Sequence, residues 1–84
     1  MKLIFADEAW EDHLYWQKQD KKIVERINKL ISEVARDPFA GVGKPEPLKH
    51  ALSGFWSRRI NDEHRMVYKD EGGALLLAQL RYHY

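Results

Sequence analysis

The chain has 84 residues, with 14 Lys and Arg against 13 Asp and Glu for a formal net charge of +1, and no cysteine. That length bounds it to one domain, 1–84, near the size at which a single hydrophobic core only just suffices for folding. Lack of cysteine excludes a disulfide framework and a thiolate metal site, and a near-neutral total excludes unspecific capture of polyanions by bulk charge.

Lys2 to Phe5 is a short apolar run of β-favouring residues, and Asp7-Glu8 after it supplies the acidic first turn of a helix. These acids also end the run before a signal peptide or membrane span could develop, so the expectation is a soluble cytoplasmic protein with no membrane partner. The first helix, about Asp7 to Lys18, is read with Trp10, Leu14 and, less squarely, Tyr15 towards the core and Glu11, Asp12 and Lys18 towards water. Asp20 is a good N-cap for a second helix whose Ile23, Ile27, Leu30, Ile31 and Val34 recur at helical spacing. That helix should stop near Arg36, because Asp37 precedes Pro38.

Phe39 to His50 reads as a connector with no regular element before Pro47. Within it Lys44 and Glu46 each precede a proline and are pushed towards extended geometry, so Glu46 loses less entropy in being held at one position. The local alternative is a stiff exposed linker whose Glu points at water. Beyond Ser53-Gly54 the pattern turns to period two: Phe55 to Asn61 and His64 to Lys69 are strands joined through Asn61-Asp62-Glu63, and Asp70-Glu71-Gly72-Gly73 leads into a last strand, Ala74 to Tyr84. In that last strand Leu76, Ala78, Leu80 and Tyr82 are assigned to the helices, and Leu75, Leu77, Gln79, Arg81 and His83 to the other face. A register that opposes Arg59 and Arg65 puts both beside Ser57 and Val67 and sends Trp56, Ile60, Met66 and Tyr68 to the core. A two-residue turn at Asp62-Glu63 would separate the arginines, and the first register is preferred because it divides apolar from guanidinium side chains. On sheet faces Arg58, Arg59 and Arg65 ordinarily mark a solvated or salt-bridged surface.

From Lys44 to Lys69, six cationic residues (44, 49, 58, 59, 65, 69) face three acids (46, 62, 63), a local excess that suits a substrate presented by something larger. A basic surface with a single held carboxylate and a terminal imidazole is what metal-free cleavage of a phosphodiester requires. His13, His50 and His64 lack trustworthy metal-ligand spacing and are read as structural or surface residues.

Four motifs together, Lys44-Pro45-Glu46-Pro47-Leu48-Lys49-His50, Leu52-Ser53-Gly54-Phe55-Trp56-Ser57-Arg58-Arg59-Ile60, Glu63-His64-Arg65 with Val67-Tyr68, and the terminal Arg81-Tyr82-His83-Tyr84, closely resemble the YoeB toxins. These belong to the RelE and ParE superfamily of bacterial toxin–antitoxin systems, and the resemblance runs over the whole chain. Ala6, where relatives are expected to carry a capping Ser or Thr, departs from the pattern. The resemblance implies an α+β RelE-like domain: an N-terminal strand, and two helices on one face of a largely antiparallel sheet whose last three strands form a meander. It implies an mRNA endonuclease acting in the decoding site of the 70S ribosome, held inactive by a YefM-type antitoxin, reaching operator DNA only through the antitoxin complex, and often homodimeric.

RNA carries its own nucleophile, so no metal or cofactor is required by the residues present. Glu46 is assigned as general base and His83 as general acid, with Arg65 gripping the phosphate and Lys44, Lys49 and Arg59 adding charge. Tyr84 orients the phosphate or the acid through its hydroxyl, or supports a protonated His83 through its terminal carboxylate. Phe55, Trp56 and Tyr84 are the aromatics suited to stacking on RNA bases. The product would be a 2′,3′-cyclic phosphate or the derived 3′-phosphate. The competing class is a non-catalytic ParE-like protein that binds DNA gyrase, against which the joint presence of Glu46, Arg65, His83 and Tyr84 argues.

Overall fold

A computed structural model describes residues 1–82; the expectations for His83 and Tyr84 therefore lie outside the described residues. The element order is β1 (Lys2–Phe5), α1 (Asp7–Gln19), α2 (Lys21–Arg36), β2 (Glu46–Pro47), a 3₁₀ turn (His50–Leu52), β3 (Trp56–Arg59), β4 (Arg65–Asp70) and β5 (Ala74–Gln79). The sheet runs β1-β5-β4-β3-β2. Its β2 to β5 pairings are antiparallel and β1 joins β5 in parallel, so the last three strands make the expected meander. Both helices contribute to one core with the sheet, through Ala9, Trp16, Ile27, Leu30, Ile31 and Val34 against Ile60, Met66, Tyr68, Leu75, Leu77 and Leu80.

The second helix follows its sequence pattern. The Asp20 side chain accepts from Lys22 N at its start, and Ile27, Leu30, Ile31 and Val34 are buried along one stripe. The first helix does not. Trp10 (48% exposed) and Leu14 face outward, and the inward stripe is Ala9, Asp12 and Trp16, with Tyr15 partly buried beside it. Trp10 instead meets Phe5 edge-on and stacks on His13. Asp12, expected in water, is only 8% exposed because its Oδ2 accepts from Leu80 N (3.0 Å), while Trp16 Nε1 donates to Leu80 O (2.9 Å). One turn of helix thereby satisfies both polar groups of the residue just beyond β5, which would otherwise be buried without partners.

The last strand ends at Gln79, short of the expected Tyr84, and its faces do not follow strict alternation. Val67 pairs with Gln79 but Tyr68 pairs with Leu77, so Ala78 is an extra residue, a β-bulge. The bulge makes Leu75, Leu77 and Leu80 all point inward and puts Leu76 and Gln79 on the opposite face. The sequence assignment is thus inverted for Leu75 to Leu77 and holds for Gln79 and Leu80. Two further expectations change in the connector. Glu46-Pro47 form a two-residue strand on the sheet edge, and Lys44 adopts a left-handed φ of 51° in place of extended geometry. Among the described residues no helix is long and apolar enough to cross a membrane.

Burial pushes the Asp12 carboxyl up from its usual value of 3.8, opposed by the Leu80 amide and by the Arg81 charge. A carboxyl raised in the folded state favours folding below its unfolded pKa, and that contribution is lost as pH rises through the folded pKa. Asp12→Asn keeps a carbonyl acceptor for Leu80 but does not ionise. Its stability relative to the native chain should therefore improve from mildly acidic to neutral pH in urea titrations. Asp12→Ala strands the Leu80 amide and should cost about 1–3 kcal/mol.

Candidate active site

The β3–β4 register is the one that opposes the two arginines: Trp56 with Tyr68, Ser57 with Val67, Arg58 with Met66, Arg59 with Arg65. Glu46 on β2 pairs with Ser57. Directly opposed residues share a face, so Glu46, Ser57, Arg59, Arg65, Val67 and Gln79 all lie on the sheet face away from the helices. Glu46 and Arg65 sit on strands two ladder spacings apart, about 10 Å across the sheet.

Each member is held by its neighbours. Arg65 is nearly buried, and its Nη1 donates to the carbonyls of Asn61 (2.6 Å), His64 (3.1 Å) and Asp62 (3.2 Å), which fixes one corner of the guanidinium against the β3–β4 turn. That turn is itself closed by Asn61 Oδ1, which accepts from the amides of Glu63 and His64. Arg59 is exposed and faces Arg65 across the ladder. Two like charges directly opposed destabilise a sheet pair, and an anion between them reverses the sign of that term. Lys49 and Lys44 are exposed on the connector, Lys49 immediately before the 3₁₀ turn. Glu46, Pro47, Leu48, Lys49, His50 and Leu52 line a groove of about 360 Å³. Arg59 and Arg65 lie outside that lining, on the same sheet face.

The connector is placed by Arg58, which the sequence reading left among surface cations. It is fully buried on the core face. Its Nε donates to Tyr68 Oη (3.1 Å), Nη1 to Val42 O (3.1 Å), and Nη2 to the carbonyls of Asp37 (2.6 Å) and Ala40 (2.9 Å). Tyr68 in turn donates to Pro38 O (2.7 Å), and burial raises its phenol above the usual value against the opposing effect of Arg58. Next to this knot, Gly43 (φ 91°) accepts from Arg59 N at 2.7 Å, and a Cβ there would sit 3.0 Å from Leu30 Cδ2 and 3.1 Å from Arg58 Cβ. Only glycine fits that close pass at that φ, and it sets the chain's entry into Lys44-Pro45-Glu46.

The other end of the site is placed from the C-terminal side. Past the Leu80 clamp, the Arg81 guanidinium lies 3.5 Å over the Tyr15 ring. Tyr82 N donates to His64 Nδ1 (2.8 Å), and Tyr82 O accepts from Arg65 N (3.0 Å). His83 and Tyr84, assigned as general acid and orienting group, lie outside the described residues, but the peptide that leads into His83 is bonded to Arg65. Of the assigned residues, the fold brings Glu46, Arg59 and Arg65 to one face and keeps Lys44 and Lys49 on the connector beside Glu46. The residues that sequence reasoning missed are the supports: Asp12, Trp16, Arg58 and His64. An alternative helical stripe of Ala9, Asp12 and Trp16 was the signal for the first two. Among the described residues no three of His, Cys, Asp or Glu gather as metal ligands would.

This fold, two helices packed on a five-stranded mixed sheet, is shared with proteins of known class. The family model described as "YoeB-like toxin of bacterial type II toxin-antitoxin system" matches residues 5–84. The chain belongs to that family. Toxin YoeB of Escherichia coli K12 is 62% identical over all 84 residues of both chains. A YoeB/ParE toxin from Agrobacterium tumefaciens superimposes with a TM-score of 0.96 at 50% identity, each chain covered in full. Staphylococcus aureus YoeB superimposes both in its complex with YefM (TM-score 0.92, 42% identity) and as a dimer (0.93, 44%), with the whole of this chain and 98% of that one covered in each case.

A lysine at position 58 keeps the charge but cannot reach four acceptors spread from Asp37 to Tyr68. Arg58→Lys should lower the stability measured in urea by about 2–4 kcal/mol. Gly43→Ala should cost about 1–3 kcal/mol through the left-handed φ and the crowding at Leu30.

Proposed function

We propose that this chain is a ribosome-dependent mRNA endonuclease that cleaves in the decoding site and so inhibits translation. What supports this reading, beyond membership of a toxin family, is the single sheet face that carries Glu46, Arg59 and Arg65, with the peptide preceding His83 bonded to the Arg65 backbone. Glu46 takes the proton from the 2′-hydroxyl, whose oxygen attacks the adjacent phosphorus. Arg65 and Arg59, with Lys49 and Lys44, stabilise the charge that builds on the phosphoryl oxygens. His83 protonates the departing 5′-oxygen as the P–O5′ bond breaks, leaving a 2′,3′-cyclic phosphate that can open to a 3′-phosphate. Tyr84 orients the phosphate or His83. Every step is a proton transfer or a displacement at phosphorus, so the chemistry closes without a cofactor.

A site whose cations are few and spread over one small face gains little from long-range attraction, which suits an mRNA already threaded and held in the ribosome. A YefM-type antitoxin is the proposed inhibitor, following the complex formed by the S. aureus relative. The dimer of that relative supports a homodimer here, and operator DNA is reached through the antitoxin complex. The proposed place of action is the cytoplasm, where its substrate is.

The test is cleavage of a defined mRNA on programmed ribosomes, with and without chelator, followed by mapping of the mRNA ends. The native chain should cut within the decoding-site codon with chelator present. Glu46→Gln and His83→Gln should each reduce cleavage about a hundred-fold or more while leaving the fold intact. Native-rate cleavage by Glu46→Gln would remove the carboxylate from the reaction.

A further inference from the structure

His64 stands between Arg65 and the chain terminus without belonging to the assigned site. Its backbone carbonyl accepts from Arg65 Nη1 (3.1 Å) and from Ile60 N (3.0 Å), so its main chain is part of the cradle for the guanidinium. Its ring is half-buried and edge-on against Trp16, with centroids 4.8 Å apart. Ring atom Nδ1 accepts from Tyr82 N at 2.8 Å. Tyr82 is a non-glycine residue at φ 65°, a left-handed conformation that a bulky side chain adopts only when its surroundings hold it.

An Nδ1 that accepts carries no proton, so the bond selects the neutral ring with hydrogen on Nε2. An imidazolium would carry hydrogen on both nitrogens and turn two donors against each other. The ring also lies beside that of Tyr82, with centroids 6.2 Å apart. Trp16, whose indole donates to Leu80 O, supplies the apolar wall.

We propose that neutral His64 is a positioning residue for the terminal acid. Its Nδ1 holds Tyr82 in the left-handed conformation from which the chain enters His83. The role rests on the reading of His83 as general acid in mRNA cleavage. A misplacement of about 1 Å at a reacting group is worth up to about a hundred-fold in rate, so the hold is felt in kcat.

His64→Asn places a side-chain oxygen where Nδ1 stood and does not ionise, whereas His64→Leu fills the space without an acceptor. In ribosomal cleavage His64→Asn should keep kcat within a few-fold of the native chain. His64→Leu should lose about ten-fold or more in kcat at unchanged KM. Equal losses in both variants, or native kcat in His64→Leu, would overturn the proposal.

A second measurement does not depend on activity. Nitrogen-15 spectra of the free protein should show the Nε2–H form of His64, with the Tyr82 amide signal displaced in His64→Leu and kept near its native position in His64→Asn. An Nδ1–H form, or a Tyr82 amide indifferent to His64, sinks the positioning role. If the spectra agree but native protein and ribosomes give no cleavage, it is the endonuclease reading that fails.

Discussion

The fold depends on a buried guanidinium. Arg58 lies on the core face of strand β3, where parity calls for an apolar side chain, and its acceptors are three backbone carbonyls between Asp37 and Val42 and the Tyr68 hydroxyl. Taking a cation out of water costs several kcal/mol unless hydrogen bonds replace its hydration. Here the replacement comes from the carbonyls of Asp37, Ala40 and Val42, which lie outside any helix or strand, so the two needs answer each other. The cation is solvated by backbone dipoles, and the irregular segment acquires one conformation. That conformation hands the chain through Gly43 to β2 and so places Glu46 opposite Ser57.

A second support acts at the other edge of the site. Asp12 and Trp16, one helical turn apart on α1, bond the two polar groups of Leu80, and Arg81, Tyr82 and His64 continue the attachment to Arg65. The helices thus do more than cover the sheet: one end of α1 decides where the C-terminal segment runs. Between the two supports the open face carries an opposed pair, Arg59 and Arg65, that the sheet would be more stable without. Local conflicts of this kind are expected where a surface is shaped for an anion, and the rigid turn carbonyls on Arg65 Nη1 supply the compensation.

What could be read from the sequence follows physical lines. The stripe of α2 was legible because four apolar side chains recur with one period and Asp20 marks its start. The β3–β4 register was legible because only one alignment gathers Met66, Tyr68, Ile60 and Trp56 on the same side. Arg58 spoiled that division, since a rule that sorts by charge cannot see acceptors contributed by a loop distant along the chain. In α1 the apolar residues Trp10 and Leu14 outweighed the polar Asp12, and tertiary hydrogen bonds to Leu80 decided the rotation instead. In β5 an all-apolar run hid the bulge at Ala78, because Leu75, Leu76 and Leu77 satisfy either parity. The candidate site residues rest on the family resemblance, and individually Glu46 and Arg59 carry no sign that distinguishes them from surface charge.

Chain ends are usually frayed, and a reactive group placed there would lose much of its rate to disorder. For the role proposed for His83, that problem is met by the backbone before it, which is held as far as Tyr82. Leu80 is bonded to α1 through both its polar groups, Arg81 is stacked on Tyr15, and Tyr82 is bonded through N to His64 and through O to Arg65. A side chain that follows directly on fixed backbone can be exposed to a bulky substrate and still be aimed. A residue in the middle of a strand, enclosed on both sides by its neighbours, does not combine those two properties as readily.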